Sequence, residues 1–212
     1  MPKIILASQS PQRKLLMQAL GIPFEVMPAD IDEKGIIESD QKLRAKLIAK
    51  AKAEEVLKML QNEVGGGLNS EVGGENNLNP IIIAADTFTM FNGKAYEKPE
   101  SKEEAMQMLQ EQSGQTGVCF SGFAYIDKKN KIELNDVAVT EIVFRKLSDS
   151  EIQRYVDENP VMTWSAAFCP AYPAGANLIA SIKGSFTSFT HGLPMEMLVP
   201  LLEKSGAINE EA

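Results

Sequence analysis

Ile5-Leu6-Ala7-Ser8-Gln9-Ser10-Pro11-Gln12-Arg13-Lys14-Leu15-Leu16 opens the chain as a short apolar run that turns through two hydroxyls into a segment begun by proline. The apolar run reads as a strand and the segment after it as a helix, which points to an α/β fold from the first turn of the chain. Ser10 is placed to accept from the first free backbone N–H groups, and Pro11 suits the first helical position because it has no N–H to leave unpaired. With Arg13 in the first turn, the N–H groups, the helix dipole and a guanidinium could converge on one anion. The same pattern is also that of an ordinary capped helix.

Working outward, residues 3–7 predict a buried strand, 11–20 a helix closed by Gly21, and 24–29 a second strand. Residues 43–60 place Leu43, Leu47, Ile48, Ala51, Val56, Leu57 and Leu60 at helical spacing, with lysines at 46, 50, 52 and 58 read mostly as a solvated face. Residues 61–80 are rich in Gly and Asn with almost nothing to bury, and predict a mobile insertion within one domain spanning 1–212. An apolar strand follows at 81–91, then Asn92-Gly93, a strong hairpin signal. Capping boxes at Ser101-x-x-Glu104 and Ser148-x-x-Glu151 open two helices, the first closed by Gly114 and the second ending before Pro160. Between them, 118–126 and 133–145 predict strands joined by a polar turn at 127–130. A late strand at 178–182 and a final helix at 193–202 complete the pattern, with Pro200 expected to kink or shorten that helix. The sheet these strands make is mixed.

The length of 212 residues and 44% apolar content suffice for a full core. A net charge of -8 argues against nucleic acid as a partner, since such domains carry a strongly basic face. No apolar run approaches a membrane span, and residues 1–7 are too short for a signal peptide, so no membrane partner and a cytoplasmic location are expected. Cys119 and Cys169 have neither metal nor redox spacing and read as reduced, buried thiols. His191 is the single histidine, which makes a Ser-His-Asp hydrolase or a His-rich zinc site a poor reading. Carboxylates, lysines and arginines must carry the chemistry.

Asp86 follows an apolar run inside a sheet, and a buried unpaired charge costs several kcal/mol, so it must meet a cation, a metal or water at a strand end. Asp30-Ile31-Asp32-Glu33 supplies further carboxylates just past a strand. Such a run is commonly a solvated turn, yet hard oxygen ligands from two segments are also what Mg²⁺ carrying phosphates requires. Lys98 precedes Pro99, which holds its backbone extended.

In chain order, Ser8-x-Ser10-Pro11-x-Arg13, Asp30-Ile31-Asp32-Glu33, Lys52-Ala53, Ala85-Asp86-Thr87, Lys98-Pro99, Phe144-Arg145-x-Leu147-Ser148 and Gly192-Leu193-Pro194 together resemble the motifs of the Maf family of nucleoside triphosphate pyrophosphatases. The family's Leu-Ser-Gly is weakened here to Gln112-Ser113-Gly114. The resemblance implies an elongated α/β fold whose mixed sheet and flanking helices form a cleft between two lobes, usually in a homodimer. It implies a metal-dependent, house-cleaning hydrolase that converts a nucleoside triphosphate to the monophosphate and pyrophosphate, with Mg²⁺ or Mn²⁺ as cofactor. Catalytic roles fall to Asp86, as base or metal-held carboxylate, to Glu33, sharing the metal, and to Lys98. Ser8, Ser10, Arg13 and Lys52 would hold the triphosphate, while Asp30 and Asp32 are left as ligands or turn caps.

Base specificity in the family rests on positions matching Gln12, Thr87 and Ala171. In the branch acting on dTTP and UTP these are Arg, Thr and Gln, and in the 7-methyl-GTP branch Trp, Gln and Glu. Only Thr87 agrees with the first branch and none with the second, which implies a weak pyrimidine lean and an open base pocket. The competing expectation is an aromatic slot built from Trp164, Phe168 or Tyr172. A second function class is a weakened family member that binds nucleotides and regulates cell division, against which the retention of Glu33, Asp86 and Lys98 speaks.

Overall fold

The computed structural model describes residues 1–65 and 79–208. Among these, strands β1 (Ile4–Leu6), β2 (Glu25–Val26), β3 (Ile81–Phe91), β4 (Lys94–Ala95), β5 (Thr116–Asp127), β6 (Ile132–Phe144) and β7 (Ile179–Lys183) form one sheet in the order β2-β1-β3-β5-β6-β7, with β4 paired to β3. It is mixed, as expected: β1 is parallel to β2 and β3, while β3–β4 and β6–β7 are antiparallel. The helices are α1 (Pro11–Ala19), α2 (Gln41–Gly65), α3 (Lys102–Gln112), α4 (Asp149–Glu158), α5 (Pro173–Ala176), α6 (Phe186–His191) and α7 (Met195–Lys204). The α/β class read from the sequence is therefore the one observed.

The residues group into two compact units, one of 1–86, 121–138 and the chain from 192 onward, the other of 87–120 and 139–191. In the first unit, strand alternation sorts the apolar side chains into two layers. Ile4, Leu6, Ile81, Ile83 and Ala85 pack with Met17, Leu198 and Leu202, which belong to α1 and α7. Ile5, Ala7, Ile82 and Ala84 pack with Ala49, Ala53 and Val56 of α2. Each fully buried Ile or Leu contributes about 1.5–3 kcal/mol by leaving water. The α2 side of this contact is built from small residues because β5 carries Gly122 there. A Cβ on Gly122 would stand 1.9 Å from the Ala45 carbonyl oxygen, so helix backbone lies directly on strand backbone.

The second unit has an aromatic core. Phe144 meets Phe91 edge-on at 5.4 Å between ring centroids and Phe168 at 4.9 Å, and the cluster extends to Leu109 of α3 and to Ile152 and Val156 of α4. Asn92 (φ 50) and Gly93 (φ 76) both take left-handed conformations, as a two-residue turn between β3 and β4 demands.

Several expectations need correction. Helix α2 runs from Gln41 to Gly65, so residues 61–65 continue it instead of opening the insertion expected at 61–80; of that stretch, 66–78 lie outside the described residues. Its buried stripe is Ala45, Ile48, Ala49, Ala53 and Val56, whereas Leu43 and Leu47 are exposed, since at 3.6 residues per turn they fall on the opposite side of the helix. The second strand shrinks to two exposed residues at a sheet edge. Ser101 caps α3 by accepting from Glu104 N, but the Glu104 carboxylate accepts from Glu100 N, so the reciprocal half of the box is displaced by one residue. Ser148 and Glu151 form the complete box. Pro200 does not end α7, which continues to Lys204. It sits on the exposed face, where the carbonyl it leaves unbonded can be hydrated.

Candidate active site

Asp86 continues the Ile82–Ala84 series by the period of two, so it faces α2 at the point where β3 stops being apolar. Lys52 lies on the inward stripe of α2, between Ala49 and Ala53, and not on the solvated face where the sequence put most lysines. Its Nζ is 2.8 Å from Asp86 Oδ1 and 2.8 Å from Glu33 Oε1. Lys52 and Asp86 are both buried, while the Glu33 side chain is 48% exposed. Removing one member of a buried pair strands the other charge, at a cost of about 3–5 kcal/mol, so Lys52 and Asp86 hold each other in place. Glu33 is tethered at one end only. Asp32, its neighbour, accepts from Gly35 N at 3.0 Å and shapes the turn that presents Glu33.

The opening loop is equally specified. Ser8 Oγ accepts from Ser10 N at 3.2 Å and from Arg13 Nη1 at 2.9 Å. Ser10 Oγ caps α1 by accepting from Arg13 N at 3.4 Å and donates to Gln12 Oε1 at 3.2 Å. Arg13 is buried, and its Nε donates to the Gly192 carbonyl at 2.9 Å. One guanidinium thus ties the first motif of the chain to Gly192-Leu193-Pro194 near its end. That partner was invisible from the sequence, although the late Gly-Leu-Pro was the available signal.

Thr87, Lys98 and Ala171 belong to the second unit, while Asp30 is an exposed residue of the first. Thr87, half-buried, is the next residue of β3 after Asp86. Lys98 is exposed and has no ion pair with any described residue. Its loop is fixed by the hydrogen bond from Ala166 N to the Glu97 carbonyl at 3.0 Å. Ala166 (φ 59) and Ala167 (φ 62) are both left-handed, a conformation that costs an L-residue about 1–2 kcal/mol. Ala171 is half-buried in the same segment. Of the three aromatics considered for a slot, Phe168 is a core residue, whereas Trp164 and Tyr172 stack on each other at 5.4 Å and 26°, with Tyr172 46% exposed. Cys119 and Cys169 form no disulfide and are buried.

His191 stands outside this chemistry. Its Nδ1 is 2.8 Å from Thr190 Oγ1, whose hydroxyl already donates to the Phe186 carbonyl, so Nδ1 is the protonated nitrogen. Burial holds its pKa below the ordinary histidine value.

Among the described residues no three or more His, Cys, Asp or Glu side chains gather as a metal cage. Glu33 and Asp86 instead converge on one cation, and two carboxylates are the donor set of a Mg²⁺ or Mn²⁺ that takes its other ligands from water and phosphates. The site fits such an ion.

A family model described as Maf-like protein matches residues 3–205. The chain is 37% identical over 210 residues to a dTTP/UTP pyrophosphatase of Alkaliphilus oremlandii, covering 99% of both chains. It is 32% identical over 208 residues to a dTTP/UTP pyrophosphatase of Caldicellulosiruptor saccharolyticus, covering 97% of this chain and 96% of the relative. A nucleoside triphosphate pyrophosphatase of a Synechococcus strain is 34% identical over 168 residues, 79% of this chain and 77% of that one. With its motifs in order and its carboxylate pair gathered on one lysine, the chain belongs to the Maf-like protein family.

Proposed function

We propose that this chain hydrolyses nucleoside triphosphates to the monophosphate and pyrophosphate, with a lean toward dTTP and UTP. The observation that carries the reading is the Lys52 ammonium held 2.8 Å from both Glu33 and Asp86, in a chain whose relatives are named for this reaction. Asp86 orients a water toward the α-phosphorus and takes its proton. The new bond is water oxygen to phosphorus, and the bond that breaks is phosphorus to the bridging oxygen of the departing pyrophosphate. Lys52 and the start of α1, with Ser8 and Ser10, hold phosphate oxygens, and Arg13 keeps the Ser8 loop in register through Gly192. Lys98 adds the cation that its Lys-Pro motif supplies in the family. Bound by Glu33 and Asp86, Mg²⁺ or Mn²⁺ would lend positive charge to the phosphoryl oxygens.

The names of the relatives and Thr87 favour pyrimidines, while Gln12 and Ala171 leave the base few hydrogen-bonding partners. A homodimer in the cytoplasm completes the reading and rests on the family resemblance. No helix among the described residues is long and apolar enough to cross a membrane.

Pyrophosphate release from dTTP, UTP, CTP, GTP and 7-methyl-GTP, with Mg²⁺ or Mn²⁺, tests it. The expected outcome is turnover of several nucleotides with dTTP and UTP ahead by less than about 10³-fold in kcat/KM. A larger preference for one nucleotide removes the open pocket. Release from none of them removes the enzyme and leaves the nucleotide-binding regulator.

A further inference from the structure

Two carboxylates of the first unit share a cation that belongs to the chain itself. Glu33 Oε1 and Asp86 Oδ1 both lie 2.8 Å from Lys52 Nζ, so the point that balances their charges is already taken. An ammonium has three N–H donors. Two serve the carboxylates, and Lys52 has no further partner among the described residues, which leaves one donor for an incoming anion. A divalent cation brought to the same carboxylates would meet this ammonium at contact range, where like charges repel strongly and burial weakens screening. The three groups also differ in freedom. Asp86 is fixed on β3, and Lys52 is a flexible stem on a rigid helix. Glu33 is half-exposed on a turn.

We propose that Lys52 stands in for the divalent cation in the nucleotide-free protein, so that Glu33 and Asp86 take up metal only with a nucleotide, whose phosphates receive the hydrogen bonds Lys52 gives up. Lys52 thereby acts as a positioning residue that orders the binding steps: one of the pair's two negative charges stays balanced by the ammonium, and the point between them stays occupied, until a polyphosphate offers the lysine another anion. Metal then enters as a metal–nucleotide complex. The inference rests on the proposed reading in one respect, that Glu33 and Asp86 are the metal-holding pair.

Equilibrium dialysis against Mn²⁺ without nucleotide tests it on the wild type, Lys52→Met, Lys52→Gln and the double variant Lys52→Gln/Asp86→Asn. The expected result is Mn²⁺ uptake at least about tenfold tighter in both single variants than in the wild type, lost again in the double variant. Both single variants should also melt below the wild type in EDTA and gain more from added Mn²⁺ than it does. Wild type binding Mn²⁺ as tightly as the Lys52 variants overturns the proposal while leaving the metal pair intact. Should neither single variant fold, wild-type uptake with and without a non-hydrolysable triphosphate analogue decides: a rise of at least about tenfold over the analogue alone supports the exchange, and unchanged uptake overturns it. Absence of protein-bound Mn²⁺ in every protein, with the analogue present, removes the metal reading and this proposal with it.

Discussion

In the first unit Arg13, Lys52 and Asp86 are each less than a tenth exposed and each bonded to another named residue of the site. In the second unit Lys98 and Tyr172 are exposed, and Ala171 sits in a segment of short turns with two left-handed alanines. The first set is built from a strand, two helices and the loops between them, so its geometry is inherited from packing. The second set is carried by loops, where side chains can change without moving a core. The contrast separates two kinds of substitution. Changes in the first set should cost turnover and stability together, and changes in the second should cost little stability, altering turnover at Lys98 and nucleotide preference at Ala171.

The largest effect is expected at Asp86. Asp86→Asn should lower kcat by on the order of 10²-fold or more, because the water loses its carboxylate. It should also lower the melting temperature, because Lys52 keeps only Glu33 as a counter-ion. A variant within about threefold of the wild type would break the comparison at its stronger end. Next in size, Ala171→Gln should shift the kcat/KM ratio of dTTP to GTP by about tenfold while leaving the melting temperature unchanged. A marked loss of stability there would show the second set to be as interlocked as the first.

Two smaller effects sharpen the contrast within the second unit. Ala166→Gly relieves a φ of 59 worth about 1–2 kcal/mol and returns part of that as unfolded-chain entropy, so a net gain of about 0.5–1 kcal/mol is expected from urea midpoints. The smallest concerns His191, whose folded pKa is lowered by burial from 6.5. Below pH 6.5 the unfolded chain binds a proton that the folded chain refuses, so stability should fall as pH drops from that point and level off below the lowered folded value. His191→Gln should flatten this part of the melting-temperature profile, and a profile unchanged by the substitution would remove the histidine from it.

The long strands were legible because alternation and apolar runs are local signals, and β3 was bounded correctly by its Ile run and Asn92-Gly93, whereas the edge strand at 25–26 was overdrawn. The polar loop and cap of α1 were legible for the same reason. What escaped was long-range. Nothing in the sequence pairs Arg13 with the Gly192 carbonyl, a contact of backbone oxygen with a side chain 179 positions away. Lys52 was picked out by its Lys-Ala motif, but its ion pairs with Glu33 and Asp86, 19 and 34 positions away, had no local signal. Leu43 and Leu47 were weighted by hydrophobicity, although at 3.6 residues per turn they lie on the side of the helix opposite Ala45 and are exposed. Helices α5 and α6 are too short for a period to emerge.

Gly122 gives the contact of α2 with β5 a wider meaning. Any side chain there would collide with the carbonyl of Ala45, two helical turns before Lys52 and about 10 Å from it along the axis. A helix seated backbone to backbone has no compressible layer of side chains beneath it, and so behaves as a rigid mount. A single methyl group at Gly122 would lift one end of that mount and carry the error along the helix to the ammonium at position 52. Residue 122 touches none of the charged groups, yet it sets the depth at which one of them is held, and substitutions there should read out as defects in the site.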